Sequence, residues 1–417
     1  MIANLNHIRM LIVCSNFCRE NEPEVPYGVS CLVSAFKKSP QNTGSVVDVF
    51  TCDLNRFYDP QSGKYSIDWE LVADEIVTQV RISKYNVVAF SVFGWFEKAV
   101  KIASSRLANT GKTPFIVMGG AAIFGTEGEL RKRFPEANLF ILSYGEKVFA
   151  NLQNHIHSKS ALVLDLPKFE DLESPYLTGD IMLGGTINTV RAETRRGCPF
   201  RCSFCKHRDT LSRKVHHVGC YERQVKELEL FKSSDIKKLN ILDPLFNDYA
   251  GHGANYLKLI RKINFDGMVS LQIRPELLTD SFLEEAAQNP KLIFEIGVQS
   301  LQPDVLKAIR RGSEKTESLL LEKLDKCRDL GIATEITMIY GLPFQTYDSF
   351  RRDVELINSY GISKIGKFPL QVYPGTKLAE DIAKFNLRTG ENAFGIQEII
   401  DNPTHDFDNM KIFATEY

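Results

Sequence analysis

Two features of the sequence predict an α/β protein in two parts, a doubly wound parallel sheet followed by a partial barrel. Short apolar runs alternate with helix-periodic stretches through residues 9–373, the pattern of buried parallel strands joined by crossover helices. The alternation is interrupted once, over residues 156–188. There Leu166-Pro167 and Ser174-Pro175-Tyr176-Leu177-Thr178-Gly179 carry turn residues and little periodicity. A chain of 417 residues is long enough for two domains. The expected division is residues 1–155, a linker at 156–188, a second domain at 189–380 and a C-terminal extension at 381–417.

In the first part, Arg9–Cys14 reads as a buried strand, followed by a polar loop with Pro23 and Pro26 and a helix over Gly28–Lys38. Val46–Phe50 is a second strand. Trp69–Ile82 places Leu71, Val72, Ile76, Val77 and Val80 at helical spacing. Val87–Phe93 is a third strand, Phe96–Leu107 a helix, and Phe115–Gly120 a fourth strand ending in a glycine turn. Leu139–Leu142 is a fifth, followed by Gly145-Glu146 and a helix to His155. Such a series predicts a flavodoxin-like (Rossmann-type) sheet. Ligands of such sheets bind outside the carboxyl ends of the strands, which points to residues 15–27, 93–96, 119–124 and 144–146.

The second part repeats the alternation six times. Strands are expected at Ile187–Glu193, Lys238–Asp243, Met268–Ile273, Leu292–Val298, Thr334–Tyr340 and Ile365–Tyr373. Helices are expected at Arg223–Phe231, Asn255–Ile263, Asp280–Gln288, Pro303–Arg310, Thr316–Asp329 and Tyr347–Ser359. Six β-α units predict a partial (β/α)6 barrel of the TIM type, with functional groups at the carboxyl ends of its strands. The tail from Phe385 reads as a short helix plus an irregular segment.

The net charge of −1 gives no general attraction to nucleic acid or to an anionic membrane surface. Met1–Arg9 carries no charged-then-apolar signal pattern, and no apolar run reaches the roughly 18 residues of a membrane span. Nine cysteines, an odd number without regular pairing, fit a reducing, cytoplasmic setting better than a disulfide framework.

Chemistry concentrates in Arg196-Gly197-Cys198-Pro199-Phe200-Arg201-Cys202-Ser203-Phe204-Cys205, a C-x-x-x-C-x-x-C run at the end of the first barrel strand. Three thiolates this close can wrap one small metal centre. Zinc would want a fourth ligand at similar local spacing, and ferredoxin-type 4Fe-4S centres use four cysteines. The next cysteine, Cys220, is out of step. Plain burial of small apolar side chains is the bland alternative, yet the stretch is rich in Arg, Gly and Pro. Three ligands on a four-iron cluster leave one iron open.

This run resembles the cluster motif of the radical S-adenosylmethionine (SAM) superfamily. The strand ends continue the resemblance: Asp243-Pro244-Leu245-Phe246-Asn247, Gln272-Ile273-Arg274-Pro275-Glu276, Gly297-Val298-Gln299-Ser300, Arg310-Arg311-Gly312, Tyr340-Gly341-Leu342-Pro343 and Tyr373-Pro374-Gly375-Thr376. It implies a 4Fe-4S cluster on Cys198, Cys202 and Cys205, with the SAM amino and carboxylate groups on the open iron. One electron from the cluster then cleaves SAM to a 5′-deoxyadenosyl radical. The resemblance places Phe204, Glu227, Gln272, Arg274, Gln299, Ser300 and Arg311 around SAM, with Arg274 or Arg311 on its carboxylate through a forked contact. For Phe204 and Glu227, core packing and a salt bridge compete with that reading. Arg195, Arg196 and Arg201 either offset the cluster charge or form a solvated loop face.

The first part resembles the cobalamin-binding domain that precedes the core in one class of these enzymes. The matching residues are Tyr27, Gly28, Gly119, Gly120, Gly145 and Glu146. Phe93, Trp95 and Phe96 are candidates for a corrin-facing wall, with helix-start packing as the alternative. No histidine lies between His7 and His155, so a D-x-H-x-x-G cobalt ligand is absent. The implied function is a cobalamin-dependent methyltransferase acting on a small molecule, supplied with electrons by a flavodoxin or ferredoxin. A radical SAM enzyme of another reaction type, with or without corrinoid, is the alternative, and a non-catalytic metal-binding protein the third. No catalytic side chain, and no substrate, can be named from the sequence.

Overall fold

The computed structural model describes residues 7–109, 113–158, 160–168, 171–208, 217–247, 251–289, 291–312, 316–362 and 364–416. Met1–Asn6, the start of the stretch expected to lack a signal pattern, lie outside them. The chain forms two compact units, Met1–Ile187 with Ala393–Ile396 and Asn188–Asn392 with Gln397–Tyr417.

The first unit is built on strands β1 (Arg9–Asn16), β2 (Val46–Asp53), β3 (Val87–Ser91), β4 (Phe115–Gly119), β5 (Leu139–Ile141) and β6 (Leu162–Val163). They pair in parallel in the order β2-β1-β3-β4-β5-β6. The order reverses between β1 and β3, the switch point at which open α/β sheets bind ligands. Helices cover both faces, which explains why the strands are continuous apolar runs. α1 (Tyr27–Lys38), α5 (Glu146–Ala150) and α6 (Leu152–Ile156) pack on one side through Val29, Val33, Phe36, Val148, Phe149 and Leu152. α2 (Trp69–Ser83), α3 (Glu97–Ala108) and α4 (Glu127–Arg133) cover the other through residues such as Ile76, Val100 and Leu130. Asp68 caps α2 by accepting from the Leu71 amide at 3.0 Å, and Thr126 with Glu129 forms a capping box at α4.

The segment expected as a linker is structured. It supplies β6 and then folds back on α1, where Asp180 accepts from Ser34 Oγ at 2.6 Å and from Lys37 Nζ at 2.7 Å. Only Leu162 and Val163 pair, within the short apolar run Ala161–Leu164, so the pairing partner more than the local pattern makes β6.

The second unit contains six parallel strands in sequential order: β7 (Thr189–Ala192), β8 (Lys238–Ile241), β9 (Met268–Ile273), β10 (Leu292–Gln299), β11 (Ala333–Tyr340) and β12 (Lys364–Pro369). Among the described residues β7 and β12 are each bonded on one side only, as a partial barrel requires. In β10 and β11 burial alternates: Phe294, Ile296, Ile336 and Met338 are buried, while Glu295, Gly297, Glu335 and Thr337 are half-buried on the opposite, inner face. The expected sixth strand stops at Pro369. Its end, β13 (Gln371–Val372), joins β14 (Arg388–Glu391) and β15 (Gln397–Asp401) in an antiparallel sheet. The tail, expected to be a short helix plus an irregular segment, holds a hairpin where irregular chain was expected and a helix over Phe407–Glu416. Arg388-Thr389-Gly390-Glu391 has no apolar alternation, so the sequence gives no sign of that strand.

Candidate functional site

The cysteine loop leaves β7 and is tied down at both sides. The Ser203 amide donates to the Ile309 carbonyl at 2.9 Å, and the Ser203 carbonyl accepts from the Leu378 amide at 2.9 Å. Lys206 Nζ donates to the Pro374 carbonyl at 2.8 Å. Within the loop, the Cys205 amide donates to the Cys202 carbonyl at 3.2 Å. Cys202 is buried, and Cys198 and Cys205 are half-buried. Burial pushes the Cys205 thiol up to about 11 and also raises Cys198, with the charge of Cys202 adding to both.

Two guanidiniums converge on Cys202. Arg274 NH1 lies 3.8 Å and Arg311 NH1 3.6 Å from its sulfur. Arg274 also stacks 3.6 Å over the Phe200 ring and donates from Nε to Glu276 at 2.6 Å. Arg311 donates to the Gly297 carbonyl. That contact depends on the glycine: a Cβ at Gly297 would stand 2.6 Å from Gln299 Nε2 and 3.4 Å from Arg311 NH2. The strand bulges here, between Gly297 and Gln299, and Gln299 adopts φ +74°. A small cleft lined by Pro275, Glu276, Gly297, Val298, Arg311 and Leu320 opens at these strand ends.

Metal binding displaces the thiol protons, and Arg274 and Arg311 are placed to offset the resulting charge. Three thiols on one anchored loop, facing two cations, are a donor set that fits an iron–sulfur cluster with one open iron. Among the described residues no three His, Cys, Asp or Glu side chains form a preassembled metal site.

Other expected SAM contacts divide. Gln272 is exposed and donates to Glu295, which also accepts from Ser270 Oγ at 2.5 Å. Phe204 is half-buried between the second and third cysteines. Ser300 is fully buried and donates to Asp353 at 3.0 Å, so it supports the turn after β10 and is not open to a ligand. Glu227 is 3% exposed and accepts from Arg223 Nε at 3.1 Å, a buried ion pair in place of the expected contact with the SAM ammonium. Arg195 and Arg196 are buried, and Arg196 is held by Glu193 at 2.7 Å, so they form no solvated face.

The sequence reading missed the support beneath the loop. Asp243, at the end of the second barrel strand, accepts from the Thr194 and Arg195 amides at 2.8 and 3.2 Å and from the Thr194 hydroxyl. That hydroxyl lies 2.9 Å from His252 Nε2. Burial pushes the Asp243 carboxyl up to about 7. An aspartate ending an apolar strand is the signal that marks it.

In the first unit the carboxyl edge is formed by glycine turns and aromatic rings. Gly120 has φ +102°, and a Cβ there would stand 2.7 Å from the Val92 carbonyl oxygen. Gly119 and Gly145 approach Ile141 and Leu32, while Gly28 faces open space. Phe93 and Trp95 stack with centroids 4.7 Å apart. The Ser15 hydroxyl, at the end of β1, is buried without a hydrogen-bond partner. Three expectations are corrected: Phe96 is fully buried core, Tyr27 is 5% exposed and stacked on Tyr176 at 6.0 Å, and Glu146 is buried, none of them on an open wall. A cavity of about 410 Å³ lies at the amino ends of α2 and α3, lined by Ile67, Trp69, Lys98, Lys101 and Ile102 among others.

Residues 193–357, from just before the cysteine loop through β11 and into the helix Tyr347–Asn358, match the model of the radical SAM superfamily. The second unit carries a radical SAM domain. Among its relatives, the ribosomal protein uS12 methylthiotransferase RimO of Alkaliphilus oremlandii is 23% identical over 342 residues, 75% of each chain. The cobalamin-dependent radical SAM methyltransferase TokK of Streptomyces tokunonensis is 25% identical over 359 residues, 73% of this chain and 50% of TokK. The radical SAM methyltransferase TsrM from Kitasatospora setae, solved with cobalamin and a 4Fe-4S cluster bound, superposes with a TM-score of 0.66 at 17% identity. That match covers 90% of this chain and 75% of TsrM, and at this identity it speaks to fold. The chain spans half to three quarters of the length of these proteins. Among the described residues no helix is long and apolar enough to cross a membrane.

Proposed function

We propose that this radical SAM protein is a cobalamin-dependent methyltransferase acting on a small molecule. The observation that carries the reading is the anchored three-thiol loop with Arg274 and Arg311 on Cys202, encoded behind a doubly wound sheet whose carboxyl edge has glycine turns and stacked rings. TokK and TsrM, methyltransferases by name, support the same reading.

Cys198, Cys202 and Cys205 would hold the 4Fe-4S cluster, and Gly28, Gly119, Gly120, Phe93 and Trp95 would border the corrinoid. When bound, these cofactors supply a substrate radical from SAM and a transferable methyl group, while the protein positions them and excludes water. Arg311, fixed by the Gly297 carbonyl, and Arg274, fixed by Glu276 and Phe200, present forked donors to a carboxylate at the strand ends. Asp243 holds the two amides that lead into the cysteine loop, which fixes where the thiols stand. The residues of the first unit supply no imidazole at the sheet edge, so a corrinoid there would be held by shape and amide contacts alone.

Methylthio transfer is the second reading, favoured by RimO among the relatives. Anaerobically purified protein should carry corrinoid absorbance, and with deuterated methyl-SAM the product should gain one labelled methyl group. A product that gains sulfur together with that methyl group would select the second reading.

A further inference from the structure

After β11 the chain turns through Gly341-Leu342-Pro343-Phe344-Gln345, at the end of the strand where a barrel carries its functional groups. Phe344 sits at φ +65°. A bulky side chain in this left-handed region is a true outlier and persists only when its surroundings over-determine it.

The surroundings do so. Gln345 is fully buried; its Nε2 donates to the Ile339 carbonyl at 3.1 Å and its Oε1 accepts from the Leu342 amide at 3.2 Å. Asn402, 1% exposed, donates to the carbonyls of Leu342 at 3.2 Å and Gln345 at 2.9 Å. Thr404 Oγ donates to the Gln345 carbonyl at 2.8 Å. This frame forces the backbone turn, yet the side chain it presents is not packed away: Phe344 is 53% exposed. Its one described ring partner is Phe385, edge-on at 5.8 Å and 88°. On the neighbouring strand Phe368 is also 53% exposed. It is in register with Ile339 and so shares the inner face with Glu335 and Thr337. Glycine would relieve the strain at 344, and a polar residue would avoid exposing a ring to water. A strained, exposed phenyl on a rigid frame has neither a folding nor a solubility rationale, but it does supply a preorganised recognition surface.

We propose that Phe344 is a specificity-determining residue at the carboxyl end of β11, and that the substrate presents a planar aromatic group to it. The Lys384 ammonium, 5.0 Å from the Phe385 ring centroid, disfavours a cationic ring and favours a neutral or anionic one. The proposal deepens the reading of the second unit as an enzyme and rests on it.

The test uses full-length, cluster-reconstituted protein with indole-3-carboxylate as the planar probe and cyclohexanecarboxylate as the non-planar control, followed by saturation-transfer NMR. Wild type should bind the planar probe in preference to the control. Phe344→Gly should weaken that binding about five-fold with a Tm no lower than wild type, because the strain is relieved, and Phe344→Tyr should retain it. Equal binding by wild type and Phe344→Gly, no preference for the planar probe, or a Tm several degrees lower in Phe344→Gly would each overturn the proposal. 5′-Deoxyadenosine formation by the same wild-type preparation reports separately on the radical SAM reading.

Discussion

Both parallel sheets place turns at their carboxyl edges, but the first sets glycine turns and a stacked Phe93–Trp95 pair there, whereas the second aims two guanidiniums at one thiol of a three-cysteine loop. The first edge has the character of a surface that recognises a large ligand by shape. Its glycines let backbone approach closely. The second edge is electrostatic. Its loop is fastened by backbone hydrogen bonds on both sides, and two arginines are aimed at one sulfur. Binding a cofactor and driving its chemistry thus make different demands on similar strand-turn-helix units, and these demands can be perturbed separately.

The largest separation is expected from the thiols. Cys202→Ala should abolish cluster-bound iron and SAM cleavage while leaving corrinoid retention by the first unit intact, as read by iron content and visible absorbance. Loss of both together would break the distinction between the edges. Next is Arg311. Replacement by Ala should weaken SAM binding by roughly tenfold to a hundredfold, the range for losing a hydrogen bond to a charged group. Arg311→Lys should not restore it, because an ammonium cannot reproduce the forked contact to Gly297 and a carboxylate. Isothermal titration on reconstituted protein measures both.

At the first edge, Gly120→Ala must accommodate φ +102° and a Cβ 2.7 Å from the Val92 carbonyl oxygen. It should cost about 1–3 kcal/mol in denaturant unfolding and reduce corrinoid retention, with iron content unchanged. The remaining prediction concerns Asp243, whose carboxyl is pushed up to about 7 by burial, from an ordinary 3.8. A group that binds its proton more tightly when folded contributes stability at low pH and loses it as pH rises through its folded value. The Asp243 contribution should therefore fall as pH rises from about 4 to about 7, so the Tm difference between wild type and Asp243→Asn should shift against wild type over that range.

The sequence already shows the strand series of both sheets because each strand is a local apolar run. It does not show β6 or the β14–β15 hairpin, whose existence depends on a partner distant in sequence. The same division holds at the site. Cys198, Cys202 and Cys205 are legible from spacing, and Arg274 from its strand-end position, whereas Arg311 follows the helix Pro303–Ala308 and is marked only by the Arg310-Arg311-Gly312 run. Ser300, Glu227 and Tyr27 match motifs just as well, yet burial commits them to Asp353, Arg223 and Tyr176. A motif marks where a residue sits along a strand end, whereas the packing of the helix behind it decides which way that residue is used. Asp243 shows the converse: a residue marked only by its place in a strand-end run becomes a support because two amides and a hydroxyl converge on it.

The most direct test of the account is SAM turnover by anaerobically reconstituted wild-type protein under a strong reductant, set beside Cys202→Ala. The account predicts 5′-deoxyadenosine from wild type and none from the variant. No 5′-deoxyadenosine and no S-adenosylhomocysteine from iron-replete wild type, or equal SAM cleavage by the two proteins, would contradict it.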